Sequence, residues 1–398
     1  MPIGTAVHDR TFRLCESLSY REWSGYYCVS VYEMHHEHEY NAIRNACALI
    51  DISPLFKYLI SGKDAAKLLN RVITRDVAKM SPGQVIYTPW CDEQGKVIDD
   101  GTVSRLEEST FRMTAADPSL RWLKINALGM DVSIDDISEK TAALALQGPT
   151  AGALLKKVAQ ADVANLKYFR VTRGSIGGVP VDISRTGYTG DLGYEIWIPW
   201  SEAVKVWDAL MEHGRPFDIH AAGMLALDVA RIEAGLILIE VDYNSSKKAL
   251  IPEQRYSPYE IGLGRLVHLD KPHFIGREVL ADENRRGPKR RLVGLEVDWT
   301  DVEKRFESAG LTPQVQSTAS RTAVPLFSNG AQVGKVTSST WSPLLKKMVG
   351  LASVVSEHAA TGTRLEMELT VEATRNKVGV KVVDLPFYNP PRKTKTPV

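Results

Sequence analysis

Apolar and polar positions in this chain alternate in short blocks whose period switches between helix and strand. Tyr40, Ile43 and Cys47 recur at i, i+3 and i+7, the spacing of one helix face, and apolar strands then read at Leu49–Ile52 and Lys57–Ser61. Ala65, Leu68, Leu69 and Val72 form the next apolar face, again helical. Between Gln84 and Leu106 the pattern is strand, turn, strand, with Asp92–Glu93–Gln94–Gly95 as the turn and glycine where a hairpin wants positive φ. Residues 110–147 add a strand, a helix around Leu120–Leu128 and two further strands. A helix over Thr150–Val158 follows Gly148–Pro149.

The stretch with the densest turn signals is Arg185–Pro199, RTGYTGDLGYEIWIP. Its glycines lead into Tyr194–Glu195–Ile196–Trp197–Ile198. Alternation puts Tyr194, Ile196 and Ile198 on one strand face, with Glu195 and Trp197 on the other. Ser201 then reads as the N-cap of a helix ended by Gly214, with Val204, Trp207, Leu210 and Met211 facing inward. A second helix reads from about Gly223 to Ala234. Leu225, Val229 and Ile232 face its core side, and Asp228 and Arg231 sit three apart on another face. The charged run NRRGPKRR at 284–291 reads as a linker, the short strands beyond it as a β domain, and the end from Pro390 as a flexible tail.

Composition narrows the class. A chain of 398 residues, 44% of them hydrophobic, can bury two or three cores. The net charge is +1 with acids and bases interspersed, which argues against a nucleic-acid or membrane-surface partner. There is no long apolar run and no signal-peptide core at the N-terminus, so a cytoplasmic protein is expected. Cys15, Cys28, Cys47 and Cys91 fit no zinc or redox spacing and read as reduced thiols. No GxxxxGK[ST] loop and no GxGxxG after a strand is present, which argues against a built-in nucleotide or flavin domain.

Taken in order, IRNACALIDIS (43–53), TRDV (74–77), PGQVIYT (82–88), GKVIDDG (95–101), LQGP (146–149), RTGYTGDLGYEI (185–196), DVARIEAG (228–235), FIGRE (274–278), LVGL (292–295) and VTSSTWSP (336–343) carry a resemblance. Over almost its whole length the chain resembles the aminomethyltransferase family of the glycine cleavage T-protein. The resemblance implies an α+β fold, a three-domain cloverleaf with antiparallel sheets, a C-terminal jelly-roll-like β domain and a central channel for tetrahydrofolate. It divides the chain into a first folate-binding domain at 1–55 and 143–236, a second α+β domain at 56–142, a connecting segment and linker at 237–291, and the β domain at 292–398. A branch that carries a cysteine in a KGC-type motif is set aside, because LILIEVDYNSS has none.

The same resemblance assigns the site. Glu195 is placed on the pterin, whose planar donor fork a carboxylate accepts with two parallel bonds. Of the adjacent pair, Asp99 is the catalytic carboxylate near N5 of the folate. Asp100, pointing to the other strand face, is structural or outward. Tyr188 lines the folate wall, with Tyr87 either a second aromatic wall or a core tyrosine. Arg231 serves a folate or substrate anion, pairs with Asp228, or does both. Three changes depart from the T-protein pattern on the substrate side. Thr114 stands for an asparagine, Pro54–Leu55 for His–Met, and Leu227 for an arginine. Trp23, Tyr26, Tyr27 and Tyr32 either cap the substrate pocket as an aromatic cage or pack in the core. His36 is taken with the substrate group. It and its neighbours His35 and His38 offer a general acid near neutrality but converge poorly for a metal, and none is expected.

These readings lead to an enzyme that moves a methyl group from a small-molecule methyl donor to N5 of tetrahydrofolate. The leading donor is an aromatic O-methyl ether, and no lipoyl carrier partner is expected. The alternatives are the aminomethyltransferase of glycine cleavage and a non-catalytic folate-binding regulator.

Overall fold

The alternating run that ends the glycine-rich stretch is the strand Gly193–Pro199, fourth of seven in one sheet. The computed structural model describes residues 1–395. They divide into two compact units, the first comprising Met1–Thr88, Asp99–Ala230 and the described residues from Asn389 onward. Its seven-stranded sheet runs Ala159–Gln160, Val171–Ile176, Val179–Ser184, Gly193–Pro199, Thr141–Gln147, Cys47–Asp51, Ile219–Ala221. All pairs are antiparallel except the last. Tyr194, Ile196 and Ile198 share one core with Leu49, Leu144 and Leu146 of the neighbouring strands and with Leu154, Trp207 and Leu210 of two helices. Burying each aliphatic side chain contributes about 1.5–3 kcal/mol. Glu195 and Trp197 lie on the opposite face, as the alternation required.

The glycines before this strand leave room for a side chain. A Cβ on Gly187 or Gly193 would come within 2.2 and 2.1 Å of the Gln147 side-chain oxygen. Gln147, from the LQGP motif, accepts the Thr189 hydroxyl at 2.8 Å. The glutamine therefore pins the loop that leads to Glu195.

The second sheet runs Gln84–Cys91, Val97–Glu107, Thr110–Ala115, Phe56–Ser61, Ser133–Asp136. The helix Ala65–Val72 buries the four residues its pattern named. Gly95 has φ 68° in the expected turn, and the Asp92 carboxylate accepts from the N–H groups of Gln94 and Lys96. The helix after Ser119 is shorter than expected, Leu120–Asn126. The helix expected from Ser201 runs Ala203–Gly214 after a 3-10 turn. Its buried residues are Ala203, Val206, Trp207, Leu210 and Gly214 at 3, 1, 3, 4 spacing, so Val204 and Met211 flank the buried stripe.

The N-terminal aromatics form a three-stranded sheet, Ile3–Gly4, Tyr26–Val31 and Ser19–Trp23. Its tight turn has positive φ at both Ser24 (50°) and Gly25 (85°), which matches the twist of a two-residue hairpin. The stretch from Pro390 was expected to be loose. Through residue 395 it is held instead: Arg392 donates to both Asp191 oxygens, at 2.6 and 2.8 Å, and the Arg185 guanidinium donates to the Lys395 carbonyl at 2.5 Å. Residues 396–398 lie outside the described residues. Arg392→Ala is expected to release this segment, because Asp191 loses its two shortest charge-assisted bonds. Limited carboxypeptidase digestion should then trim the variant faster than the wild type.

The second unit comprises Pro89–Ile98 and Arg231–Tyr388. Six strands close into a barrel: Arg290–Val297, Lys347–Val355, Ala331–Ser342, Val324–Ser328, Arg364–Val371 and Thr374–Val383. Closure leaves no free edge to pair with other chains. The run 284–291 is not a free linker. It ends the helix Arg277–Arg286 at Gly287, whose φ is 82°, and begins the first barrel strand. Basic residues on a helix end and a Gly–Pro step give the same sequence pattern as a linker.

Candidate functional site

One face of the five-stranded sheet gathers polar side chains in an otherwise apolar core. Along Val97–Glu107, alternation puts Asp100, Thr102 and Ser104 on that face and Asp99 on the other. On the next strand Arg112 lies opposite Ser104, and Thr114 accepts the Thr102 N–H at 2.9 Å while the two hydroxyls meet at 2.8 Å. Gly101 permits this closeness, since a Cβ there would stand 2.1 Å from the Thr114 carbonyl oxygen.

The aspartate pair is therefore arranged the opposite way from the sequence expectation. Asp99 has no exposed surface. One of its oxygens accepts the Asp100 N–H at 2.8 Å, and the other accepts the N–H groups of Ala116 and Asp117 at 3.0 and 2.9 Å. Burial, then the charge of Asp100, push its carboxyl well above the usual range, against the pull of those N–H donors. Asp100 is half-buried and accepts the Tyr87 hydroxyl at 2.6 Å. Burial first, then Asp100 and the nearby Tyr188, hold the Tyr87 phenol protonated far above its ordinary value. Tyr87, Tyr188 and Asp100 thus form one cluster, and the carboxylate in it is Asp100.

Glu195 is half-buried on the face of its strand that it shares with Trp197. Its Oε2 accepts the Thr186 hydroxyl at 2.6 Å. Burial raises its pKa, and hydrogen bonding from Thr186 and the charge of Arg112 oppose the rise. Arg112 stacks its guanidinium 4.4 Å from the Trp197 ring centroid and donates to Asp182 at 2.7 Å. A polar strip therefore runs from Tyr87 and Asp100 through Thr102 and Thr114 to Arg112 and Glu195. Sequence reasoning missed Arg112 and Thr102. The parity of Asp100, Thr102 and Thr114 was the signal that could have found them.

The remaining expected residues fall elsewhere. Arg231 has no exposed surface and belongs to the second unit. It donates to Asp242 at 2.6 Å and to the Ser338 hydroxyl at 2.9 Å, so its guanidinium is engaged within the second unit. Asp228 takes Arg21 at 3.3 Å. The aromatic cage is not assembled. Tyr26 packs on Trp200 at 5.7 Å, and Tyr27 packs on His8 and Tyr20. Tyr32 is buried with Cys15 and Val29, and Trp23 is half-buried at the hairpin end. Strand alternation separates Tyr26 from Tyr27. His36 is buried just before the helix Glu37–Asn45, and burial lowers its pKa, while His38 is exposed beside Glu33 at 2.9 Å. Among the described residues no group of three His, Cys, Asp or Glu side chains is placed to hold a metal.

A flat ligand with a donor edge suits these residues. Glu195 offers a partly accessible acceptor, Tyr188 and Tyr87 offer aromatic surface, and Asp100 offers a second carboxylate. An antiparallel α+β unit with a carboxylate-bearing polar face is followed along the chain by a closed six-stranded barrel. Residues 17–271 match the family described as the GCVT N-terminal domain, and residues 290–389 match the glycine cleavage T-protein C-terminal barrel domain. An aminomethyltransferase of Bacillus pumilus (strain SAFR-032) is 35% identical over 356 residues, 88% of this chain and 89% of that protein. The trimethylamine-oxide aldolase of Ruegeria pomeroyi is 35% identical over 405 residues, 98% of this chain and 47% of that protein. The crystal structure of aminomethyltransferase T of the glycine cleavage system from Bartonella henselae has the same fold, at a TM-score of 0.82 and 24% identity, covering 98% of this chain and 99% of that one. The chain belongs to the glycine cleavage T-protein family, enzymes that transfer one-carbon units with tetrahydrofolate.

Proposed function

We propose that this protein transfers a one-carbon unit borne on nitrogen to tetrahydrofolate, as an aminomethyltransferase does. The observation that carries the reading is the polar strip from Tyr87 and Asp100 to Glu195, in a chain similar to aminomethyltransferases over 88% of its length. When bound, tetrahydrofolate supplies the nitrogen that takes up the carbon. Glu195 accepts the donor edge of the pterin, and Tyr188 packs against its face. Asp100, rather than Asp99, is the carboxylate available to hold or pass a proton, with Tyr87 fixing its Oδ2. Thr114 lies beside Asp100 on the strip, where a small hydroxyl in place of an amide alters what the donor meets. The aromatic O-methyl ether reading loses its motive, because Trp23, Tyr26, Tyr27 and Tyr32 do not converge.

A second reading concerns the carrier. The likeness to the trimethylamine-oxide aldolase spans 98% of this chain, whereas that to the aminomethyltransferase spans 88%. This favours a free methylated amine over an aminomethyl group on a lipoyl carrier protein. Anaerobic incubation with tetrahydrofolate and a donor panel separates the two. The panel holds an aminomethyl-loaded carrier protein, methylated amines, an amine oxide and methoxybenzoates. Methylenetetrahydrofolate is expected from the aminomethyl-loaded carrier or from the amine oxide, whose N–O bond supplies the oxidation, and 5-methyltetrahydrofolate from a methylated amine, whose methyl carbon moves without oxidation. Folate products from methoxybenzoate alone, or from no donor, would overturn the proposal.

A further inference from the structure

We propose that Arg112 is a positioning residue for Glu195: a buried cation, held over the Trp197 ring, that keeps the Glu195 carboxylate ionised and aimed at the donor edge of the folate. The inference deepens the proposed function and rests on its reading of Glu195. Arg112 is only 4% exposed. Of its donors, Nη1 reaches Asp182, while Nε and Nη2 are buried without a hydrogen-bond partner. Burying a guanidinium with two nitrogens unsatisfied is costly, and such a group in a folded protein calls for an explanation.

Geometry supplies one. Trp197 and Glu195 are alternate residues on one face of the same strand, and Asp182 and Ser184 lie opposite them on the adjacent strand. Stacked 4.4 Å from the Trp197 centroid, Arg112 rests one alternate position from Glu195. Its ion pair with Asp182 does not exhaust its charge, because Arg173 also approaches Asp182, at 3.6 Å from the outer side. Arg173 is itself divided between Asp182 and Glu107, which it meets at 3.1 Å, while Arg112 pairs with Asp182 and acts on Glu195 through space. The remaining groups facing Glu195 are the hydroxyls of Thr186 and Ser184. Arg112 is thus the cation that offsets the burial of Glu195. Its guanidinium plane suits the task because it stacks on an indole face while keeping its charge in the plane, which an ammonium cannot do.

The consequence is a pH dependence of folate binding set by a residue that does not touch folate. Glu195 must be ionised to accept two donors, so binding weakens as pH falls through its raised pKa. Removing Arg112 moves that acidic limb upward. The test measures tetrahydrofolate dissociation constants anaerobically across about pH 5.5 to 8.5 for wild type, Arg112→Met, Arg112→Lys, Glu195→Gln and the Arg112→Met/Glu195→Gln double variant. Arg112→Met should weaken binding about tenfold or more at neutral pH, with the limb displaced to higher pH and the loss shrinking as pH rises. Arg112→Lys should restore most of the limb and less of the affinity. The double variant should bind no worse than Glu195→Gln. An unshifted limb in Arg112→Met, an equal loss at every pH, or Arg112→Lys indistinguishable from Arg112→Met overturns the inference. Folate binding that is unaffected in Glu195→Gln would instead overturn the pterin-reading role itself. Should Arg112→Met not fold, Arg112→Gln takes its place: a limb displaced to higher pH relative to wild type and Arg112→Lys supports the charge role, and a limb unmoved while affinity falls equally at every pH refutes it.

Discussion

Asp100→Asn is expected to lower folate-dependent one-carbon transfer by about a hundredfold or more, within the span typical of a lost acid–base group, with the melting temperature close to wild type. Asp99→Asn should do the reverse. Its carboxylate accepts three backbone N–H groups in a place with no exposed surface. An amide offers one acceptor and turns an NH2 toward donors it cannot satisfy. At about 1–3 kcal/mol for each unsatisfied buried group, the fold loses several kcal/mol. Activity per folded molecule then stays near wild type. Melting temperatures and single-turnover rates of the two variants, measured side by side, check this. Loss of turnover in a fully stable Asp99→Asn, with Asp100→Asn silent, would return the catalytic role to Asp99.

This reversal shows where the sequence was legible. Alternation alone established that the two aspartates point to opposite faces. It did not say which face, because Val97 and Ile98 flank the pair with apolar residues of both parities. The register against Thr110–Ala115 decides it, and register is a tertiary property. Glu195 and Trp197 were legible as a shared face, since Tyr194, Ile196 and Ile198 left no other arrangement. That Trp197 serves as a platform for Arg112 was not, because the partner is 85 residues away in sequence and on another sheet. The helix Ala65–Val72 and the Asp92 turn read directly, being local in origin. The aromatic N-terminus misled for the same reason the aspartates did. Tyr26 and Tyr27 are adjacent in sequence, so a strand sends them to different neighbours.

Arg231 poses the sharpest contrast between a motif and its physics. Residues in the DVARIEAG segment invite a ligand role, yet here both partners of the Arg231–Asp242 pair have no exposed side-chain surface. Asp242 also accepts the hydroxyls of Thr337 and Ser338, at 2.5 and 2.6 Å, and the N–H of Leu238 at 2.8 Å. Such a pair adds little net stability over an apolar substitute, because desolvation offsets attraction. Breaking it is another matter, since a lone buried carboxylate remains. Arg231→Met should therefore cost about 3–5 kcal/mol. In a unit of this size that lowers the melting temperature by roughly 6–20 °C. The double variant Arg231→Met/Asp242→Asn should recover part of the loss, because the orphaned charge is gone. Tetrahydrofolate affinity of the folded protein should be the same in all three within about twofold, below the half-kilocalorie scale of ordinary surface effects. A variant with wild-type melting and weakened folate binding would show instead that Arg231 reaches the ligand. The network around Asp242 makes that outcome the costly one, for the guanidinium would have to leave the Asp242 carboxylate, the Ser338 hydroxyl and the Leu236 carbonyl to do so.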